Sequence, residues 1–487
     1  MLLDQFRMNR PNSSVSLRPP PRNDRRKGSL TNQLVASLRT QILSGSIKPG
    51  DRLPSSRDLA RDYGVSRGTI VNVIEILRAE ELLVSRKGSG VFVANHADRV
   101  TASDTRVSDK VVLKPTNAPF PTVEILPSSV IDLRPCRPSV SEFPLTAWRK
   151  CFANAATRSA TPDYGDPQGV AELRNQISDY ARRSRGLVAN ADQVFVSMGI
   201  IHAVGLLADL YLRPGAQVIM EDPGYPLARQ VFERAGAEVI FCPVDKDGLV
   251  TDSLPRDARG VVFIYLTPSH QFPTGGRLSI ERRTQIVEWA MRNKVLVLED
   301  DYDGEYRYDV PPLPPMAAMP NECVVYLGTF SKTLFPDVRV GYVIASAALV
   351  QALVRCRTLR EYDQPSSIQY ALCDFIGSGL FAKHIRRMSK LYKEKRLTVV
   401  RALRALSVPG VLTGLDSGLH AVLTLDDGID AEALSVRLAK SGLSVPPISH
   451  YQSSSLPMRG GLVIGYAAAS FAQLSEGISL LAGELRG

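Results

Sequence analysis

Apolar residues near the start of the chain recur with the spacing of a helix and then give way to a short alternating pattern. Leu34, Leu38, Ile42 and Leu43 place one apolar stripe on a helix that starts at Leu30, and Gly45 stops it. Ser55, with Asp58 three residues on, makes a capping pattern ahead of Leu59 and Ala60, so a short second helix runs to about Tyr63 and Gly64 supplies the turn. Ser66 caps a third helix, on which Ile70, Ile74 and Leu77 face inward while Arg67, Thr69 and Asn72 face out. From Leu83 to Val93 the pattern is that of two short strands around a Gly-rich turn. Three helices and a hairpin predict a winged helix-turn-helix over 29–94.

The flanking segments lack such periods. Residues 1–28 are polar, carry a Pro run at Pro19 to Pro21, and bury too little apolar surface to fold alone, which predicts a disordered basic arm. Residues 95–129 read as a flexible linker, spanning about 30 Å as a coil. From Val130 to the end, strand-like runs (Gln193 to Ser197, Ala216 to Met220, Val261 to Leu266, Val295 to Leu298, Val324 to Leu327, Val340 to Ala345) alternate with helical stretches. That alternation predicts an α/β body over 130–487, a mostly parallel sheet covered by helices.

Charge sharpens this division. The net charge is +10, and 17 of the 59 Lys/Arg but only 9 of the 49 Asp/Glu fall in the first 99 residues, leaving a near-neutral balance of 42 against 40 in the rest. A basic end on a neutral body is the footprint of a phosphate-backbone binder. No apolar run reaches the roughly 18 to 20 residues of a membrane span, and the start lacks the apolar core of a secretory signal. The six cysteines show no metal-like spacing. The expectation is a cytoplasmic protein with reduced thiols and no metal site.

In the basic end, Arg57 and Arg67 sit at helix N-termini, where a cation gains nothing from the helix dipole and is better used on a phosphate or guanine edge. Thr69 reaches outward from the first turn of the third helix, and Gly88 lets the turn of the hairpin approach a sugar-phosphate edge. Arg57, Ser66, Arg67, Thr69 and Gly88 are the candidate contacts to double-stranded promoter DNA. The motifs PSSR, SRGT and KGSG at these spacings resemble the winged-helix domain of the GntR family. Affinity for two half-sites calls for a dimer.

In the body, YLGTFSKTLFPDVRVGY (Tyr326 to Tyr342) places Lys332 just past an apolar strand among small hydroxyl residues. A desolvated lysine amine is a nucleophile able to form an imine with an aldehyde. Arg339 offers a fork suited to a phosphate dianion, and Thr329 and Ser331 add hydroxyl donors. VLVLEDDYDGEYRY ends an apolar strand in acids, which is costly unless they meet a partner. Asp300 fits the carboxylate that keeps a pyridine nitrogen protonated and Tyr302 the donor to a ring phenolate, with Asp301 as the alternative acid.

These motifs resemble fold-type I aminotransferases, which use pyridoxal 5'-phosphate, and joined to the GntR-like head they resemble the MocR family of regulators from about Leu30 to the end. EDPGYP at Glu221, TPSHQFPTG at Thr267 and YGDPQG at Tyr164 extend the likeness. By that resemblance Tyr225 stacks on the pyridine ring, and Tyr164 bonds the phosphate of a neighbouring subunit in a homodimer with composite sites. His270 and Gln271 line the pocket, and Arg459 holds the carboxylate of an effector. Two positions depart from the family. The turn Ser197-Met198-Gly199-Ile200-Ile201 keeps the amides of Ile200 and Ile201 for the phosphate but lacks the usual side-chain donors, and Cys136 stands where a glycine is usual.

The resemblance implies a regulator in which a small amino compound displaces Lys332 from the cofactor by aldimine exchange and alters DNA binding, with little or no turnover. Two readings compete with it. One is a working aminotransferase with an accessory DNA module, and the other a DNA-binding protein whose body has become a dimerisation scaffold.

Overall fold

The computed structural model describes residues 29–95, 125–159, 161–311, 313–453 and 460–486. The expected arm, nearly all of the expected linker, and Arg459 lie outside the described residues. The chain divides into two compact units, Met1–Thr122 and Val123–Gly487.

The first unit follows its caps. Helix α1 (Leu30–Leu43) begins after Ser29, α2 (Ser56–Tyr63) after Ser55, and α3 (Arg67–Ala79) after Ser66, and each serine accepts an amide from the first turn. Gly64, at φ 64°, ends α2 in the left-handed conformation that glycine takes at little cost. Leu34, Leu38, Leu59, Ile70 and Leu77 meet in one buried cluster. Strands β1 (Leu83–Arg86) and β2 (Gly90–Val93) form the antiparallel hairpin that closes it.

The second unit opens with β3 (Ile131–Asp132), α4 (Leu145–Ser159) and α5 (Ala171–Arg185), and then builds an eight-stranded sheet. Its strands are β4 (Val194–Ser197), β5 (Gln217–Asp222), β6 (Glu238–Asp245), β7 (Gly248–Leu249), β8 (Val261–Leu266), β9 (Leu296–Asp301), β10 (Val324–Thr329) and β11 (Gly341–Ile344), in the spatial order β4-β11-β10-β9-β8-β5-β6-β7. Neighbours from β10 through β6 are parallel, while β11 runs against both of its neighbours and β7 against β6. Helices α6 (Ile200–Tyr211), α7 (Pro226–Arg234), α8 (Ile280–Asn293) and α9 (Ala347–Arg360) cover it. Along β8, Phe263 and Tyr265 join the cluster with Leu207 and Leu353, whereas Ile264 and Leu266 join that with Ile286. This two-residue alternation between two apolar faces explains why the strands read as continuous apolar runs.

Helices α10 (Ser366–Gly377) and α11 (Leu380–Ala405) lead to a smaller lobe. There β12 (Val411–Thr413), β13 (His420–Thr424) and β15 (Gly461–Gly465) form an antiparallel sheet, and β14 (Leu443–Ser444) pairs with β3. Helices α12 (Ala431–Lys440) and α13 (Phe471–Arg486) pack on that sheet through Leu434, Leu438, Leu474 and Ile478. The parallel strands β8, β9 and β10 all end on one edge, so Thr267, Asp300 to Tyr302 and Thr329 to Lys332 gather at the carboxyl ends, where open α/β sheets hold ligands.

Candidate cofactor-binding site

A cavity of about 290 Å³ opens at that edge, and Lys332, Asp300, Tyr302, Tyr225, Thr329 and Ser331 line it. At one end stand Gly199, Ile200, Ile201 and Arg339. Ile200 and Ile201 are the first residues of α6, so their amides have no partner within the helix. Gly199 precedes them at φ 93°, and a Cβ there would stand 3.4 Å from the Arg339 guanidinium, so the backbone needs glycine. Arg339 itself is left-handed at φ 47° and donates to the Met198 carbonyl at 2.7 Å. The turn is braced from within by the Ser197 hydroxyl, which donates to the Gly199 carbonyl at 3.1 Å, and by the Met198 amide, which donates to His202 Nδ1 at 3.2 Å. The buried Ser331 hydroxyl has no partner of its own among the described residues.

The two adjacent acids of β9 point to opposite faces of the sheet. Asp301 pairs with Arg185 at 2.8 Å and accepts from the Tyr326 hydroxyl at 2.6 Å. Asp300 faces the cavity, accepts the Tyr265 hydroxyl on one carboxylate oxygen, and has no partner among the described residues for the other, Oδ1. Burial pushes its carboxyl up to about 8, against the opposing pull of the Tyr265 hydrogen bond and of Lys332. An orphaned buried carboxylate oxygen is the acceptor that a protonated ring nitrogen requires.

Two expected pocket residues are not at the wall. Gln271 is fully buried and spends its amide on the carbonyls of Pro223 and Phe272, while its oxygen accepts from Thr274, so it braces the loop. His270 lies against Asp303 and Tyr302. Their neighbours Thr267 and Phe272 line the cavity instead. The physical reason is the tight loop at the end of β8, which sends successive side chains in different directions. Tyr164 is 74% exposed and packs on Tyr362 at 4.5 Å between ring centroids, away from the cavity of its own chain.

Sequence reasoning missed Arg134, Arg137 and Tyr451 at the wall. Arg134 and Arg137 share the Asp132 carboxylate, at 2.8 and 3.3 Å. Both flank Cys136 in LRPCRP, a signal the sequence offered, whereas Tyr451 carries no motif. Cys136 lines the cavity at φ 60°, and burial pushes its thiol up to about 12.

In the first unit Arg57, Arg67 and Gly88 are exposed, with Gly88 at φ 75° and open space where a Cβ would stand. Ser66 accepts the Thr69 amide at 3.1 Å, the Thr69 hydroxyl lies 2.8 Å from that of Ser66, and Arg67 Nε donates to the Ser56 hydroxyl at 3.3 Å. All five thus gather on the N-terminal ends of α2 and α3 and on the hairpin turn.

Such a head on such a body defines a transcriptional regulator with a pyridoxal-phosphate aminotransferase-like domain. The model of bacterial regulatory proteins of the gntR family matches residues 30–93, and that of class I and II aminotransferases matches 135–479. The chain belongs to the MocR family of regulators. It is 33% identical to the HTH-type pyridoxine biosynthesis transcriptional regulator PdxR of Corynebacterium glutamicum over 93% of this chain and 96% of that one. It is 32% identical to the probable rhizopine catabolism regulatory protein MocR of Rhizobium meliloti over 92% of each. Among solved structures it resembles the kynurenine aminotransferase of Pyrococcus horikoshii, with a TM-score of 0.68 and 25% identity over 74% of this chain and 91% of that one. The fold therefore implies pyridoxal 5'-phosphate, and the residues present fit it: an aldehyde-reactive amine, an orphaned carboxylate oxygen, and an end built of amides and a guanidinium. Among the described residues no helix is long and apolar enough to cross a membrane.

Proposed function

We propose that the protein is a homodimeric, cytoplasmic regulator that binds promoter DNA and reads a small amino compound through Lys332. The bound cofactor supplies an electrophilic aldehyde carbon. Lys332 would be the residue that holds that carbon and yields it to an incoming amine, Asp300 Oδ1 would accept the ring N–H, and the Tyr302 hydroxyl would serve the ring oxygen. Tyr225 would face the ring, and Arg339, Thr329, Ser331 and the amides of Ile200 and Ile201 would take the phosphate. Tyr164, exposed on its own chain, serves the site of the partner, and Arg459 remains the proposed clamp for the effector's acid. Arg57, Ser66, Arg67, Thr69 and Gly88 carry the DNA contacts.

One observation carries this reading. Lys332 and the unpartnered Asp300 oxygen share a single cavity, in a chain that also carries a winged helix. Exchange changes transcription only if the amine binds the DNA-competent and DNA-incompetent arrangements with different affinity. The test combines absorbance with DNA affinity. The loaded protein shows a visible band that is lost in Lys332→Ala, and an exchanging amine both shifts that band and changes the promoter Kd at fixed salt. A promoter Kd unmoved by every amine that shifts the band rejects the regulator, and sustained keto-acid release over many turnovers makes the protein an enzyme instead.

A further inference from the structure

Tyr302 lines the cavity, yet its hydroxyl has a partner that does not. His270 Nδ1 lies 3.0 Å from the Tyr302 hydroxyl and 3.0 Å from Asp303 Oδ2. His420, the first residue of β13 in the smaller lobe, holds its ring 5.0 Å from that of His270 and donates Nε2 to the Pro273 carbonyl at 3.0 Å. His270, Asp303 and His420 are each at most 1% exposed. Their ligand-type atoms lie within 4.8 Å of one another; His270 Nδ1 and Asp303 Oδ2 engage each other and His420 Nε2 engages a carbonyl, while His270 Nε2 and His420 Nδ1 have no hydrogen-bond partner among the described residues.

Proton bookkeeping assigns the cluster a direction. A carboxylate only accepts, so the proton shared between Asp303 and His270 sits on Nδ1. That N–H also faces the Tyr302 oxygen, which leaves the proton of Tyr302 for an acceptor elsewhere, and the cavity is where one fits. We propose that His270, held by Asp303, is a positioning residue that turns the Tyr302 hydroxyl proton onto the ring oxygen of the cofactor and so sets the proton affinity of the Lys332–cofactor linkage. A hydroxyl that accepts a hydrogen bond is a stronger donor, and a stronger donor at the ring oxygen draws off charge that would otherwise hold a proton at the linkage. The relay rests on the proposed placement of the cofactor at Lys332. Asp300, Glu221 and Cys136 also face Tyr302, and His420, which burial keeps neutral, faces both His270 and Lys332. None of these is altered by the substitutions that test the relay.

The test is a pH titration of the visible absorption of the full-length, cofactor-loaded protein. His270→Leu raises the midpoint by about one pH unit, a tenfold change in proton affinity. His270→Asn, which keeps an N–H near the place of Nδ1, restores most of it. Tyr302→Phe raises the midpoint by itself, and His270→Leu added to it gives no further shift, because the two act as one unit. Asp303→Asn moves the midpoint the same way and decides the matter if His270→Leu folds poorly. Unchanged midpoints in both His270→Leu and Asp303→Asn overturn the relay, as does an equal effect of His270→Leu with and without the Tyr302 hydroxyl. A wild-type protein that shows no visible band, or one whose band survives Lys332→Ala, refutes the placement of the cofactor itself and is thereby told apart from failure of the relay.

Discussion

Single residues at the cavity carry conformations and charges that a surface position would not keep. Gly199 holds a left-handed φ with a guanidinium 3.4 Å from where a Cβ would be. Gly199→Ala is expected to leave the fold intact and weaken cofactor retention at least tenfold, measured as the visible band remaining after dialysis. Asp300 makes a prediction about pH. Its folded carboxyl lies at about 8 against an ordinary 3.8, so between those values the folded chain holds a proton that the unfolded chain has lost. The stability linked to Asp300 is therefore complete in acid and lost as pH rises through about 8. Cofactor-free protein should lose melting temperature from pH 5 to 8, and Asp300→Asn should flatten that slope. The flattening is partial, because burial also pushes Glu221 and Glu299 up to about 7.

At the scale of elements, the caps decide where helices begin. Ser66 accepts the Thr69 amide at the start of α3, and its loss in Ser66→Ala costs about 1 kcal/mol. On a unit of this size that lowers the melting temperature of the head by roughly 4 to 8 °C, read by calorimetry, while the transition of the body stays put. The same locality explains what the sequence disclosed. The caps of α2 and α3, the hairpin, and the six apolar runs each depend on residues within a few positions of one another. The reversal of β11 does not, since strand direction is fixed by how the chain returns to the sheet. The choice between Asp300 and Asp301 turns on which face of β9 each occupies, and no neighbouring residue discloses it. His270 and Gln271 carried a motif whose spacing was legible, but the aim of their side chains depends on the fold of a loop. Arg137 and Tyr451 are more than 300 positions apart in the chain and meet only in the finished cavity.

For the whole molecule, the two units divide the chemistry between them. Every candidate DNA contact lies in Met1–Thr122 and every residue of the cavity in Val123–Gly487. The DNA term is electrostatic, so Arg57→Gln and Arg67→Gln should each weaken binding, and a phosphate contact shows itself by reducing the salt slope of the affinity by about one. A base contact instead relaxes preference at one position of the operator. The proposed amine exchange, by contrast, uses residues of the body, and among the described residues no residue lining the cavity belongs to the head. If the proposed function holds, the signal depends either on the chain between Asn95 and Ile125, which sets how readily one unit reaches the other, or on the partner subunit. Inserting about ten Gly/Ser residues there leaves the spectral response to an amine unchanged, because its chemistry needs nothing outside the body. It lowers the effective concentration of one unit at the other, so the dependence of promoter affinity on the amine should shrink. An undiminished response in gel-shift titrations would assign the coupling to the dimer interface, where Tyr164 is expected to act, and shift the next substitutions to that residue.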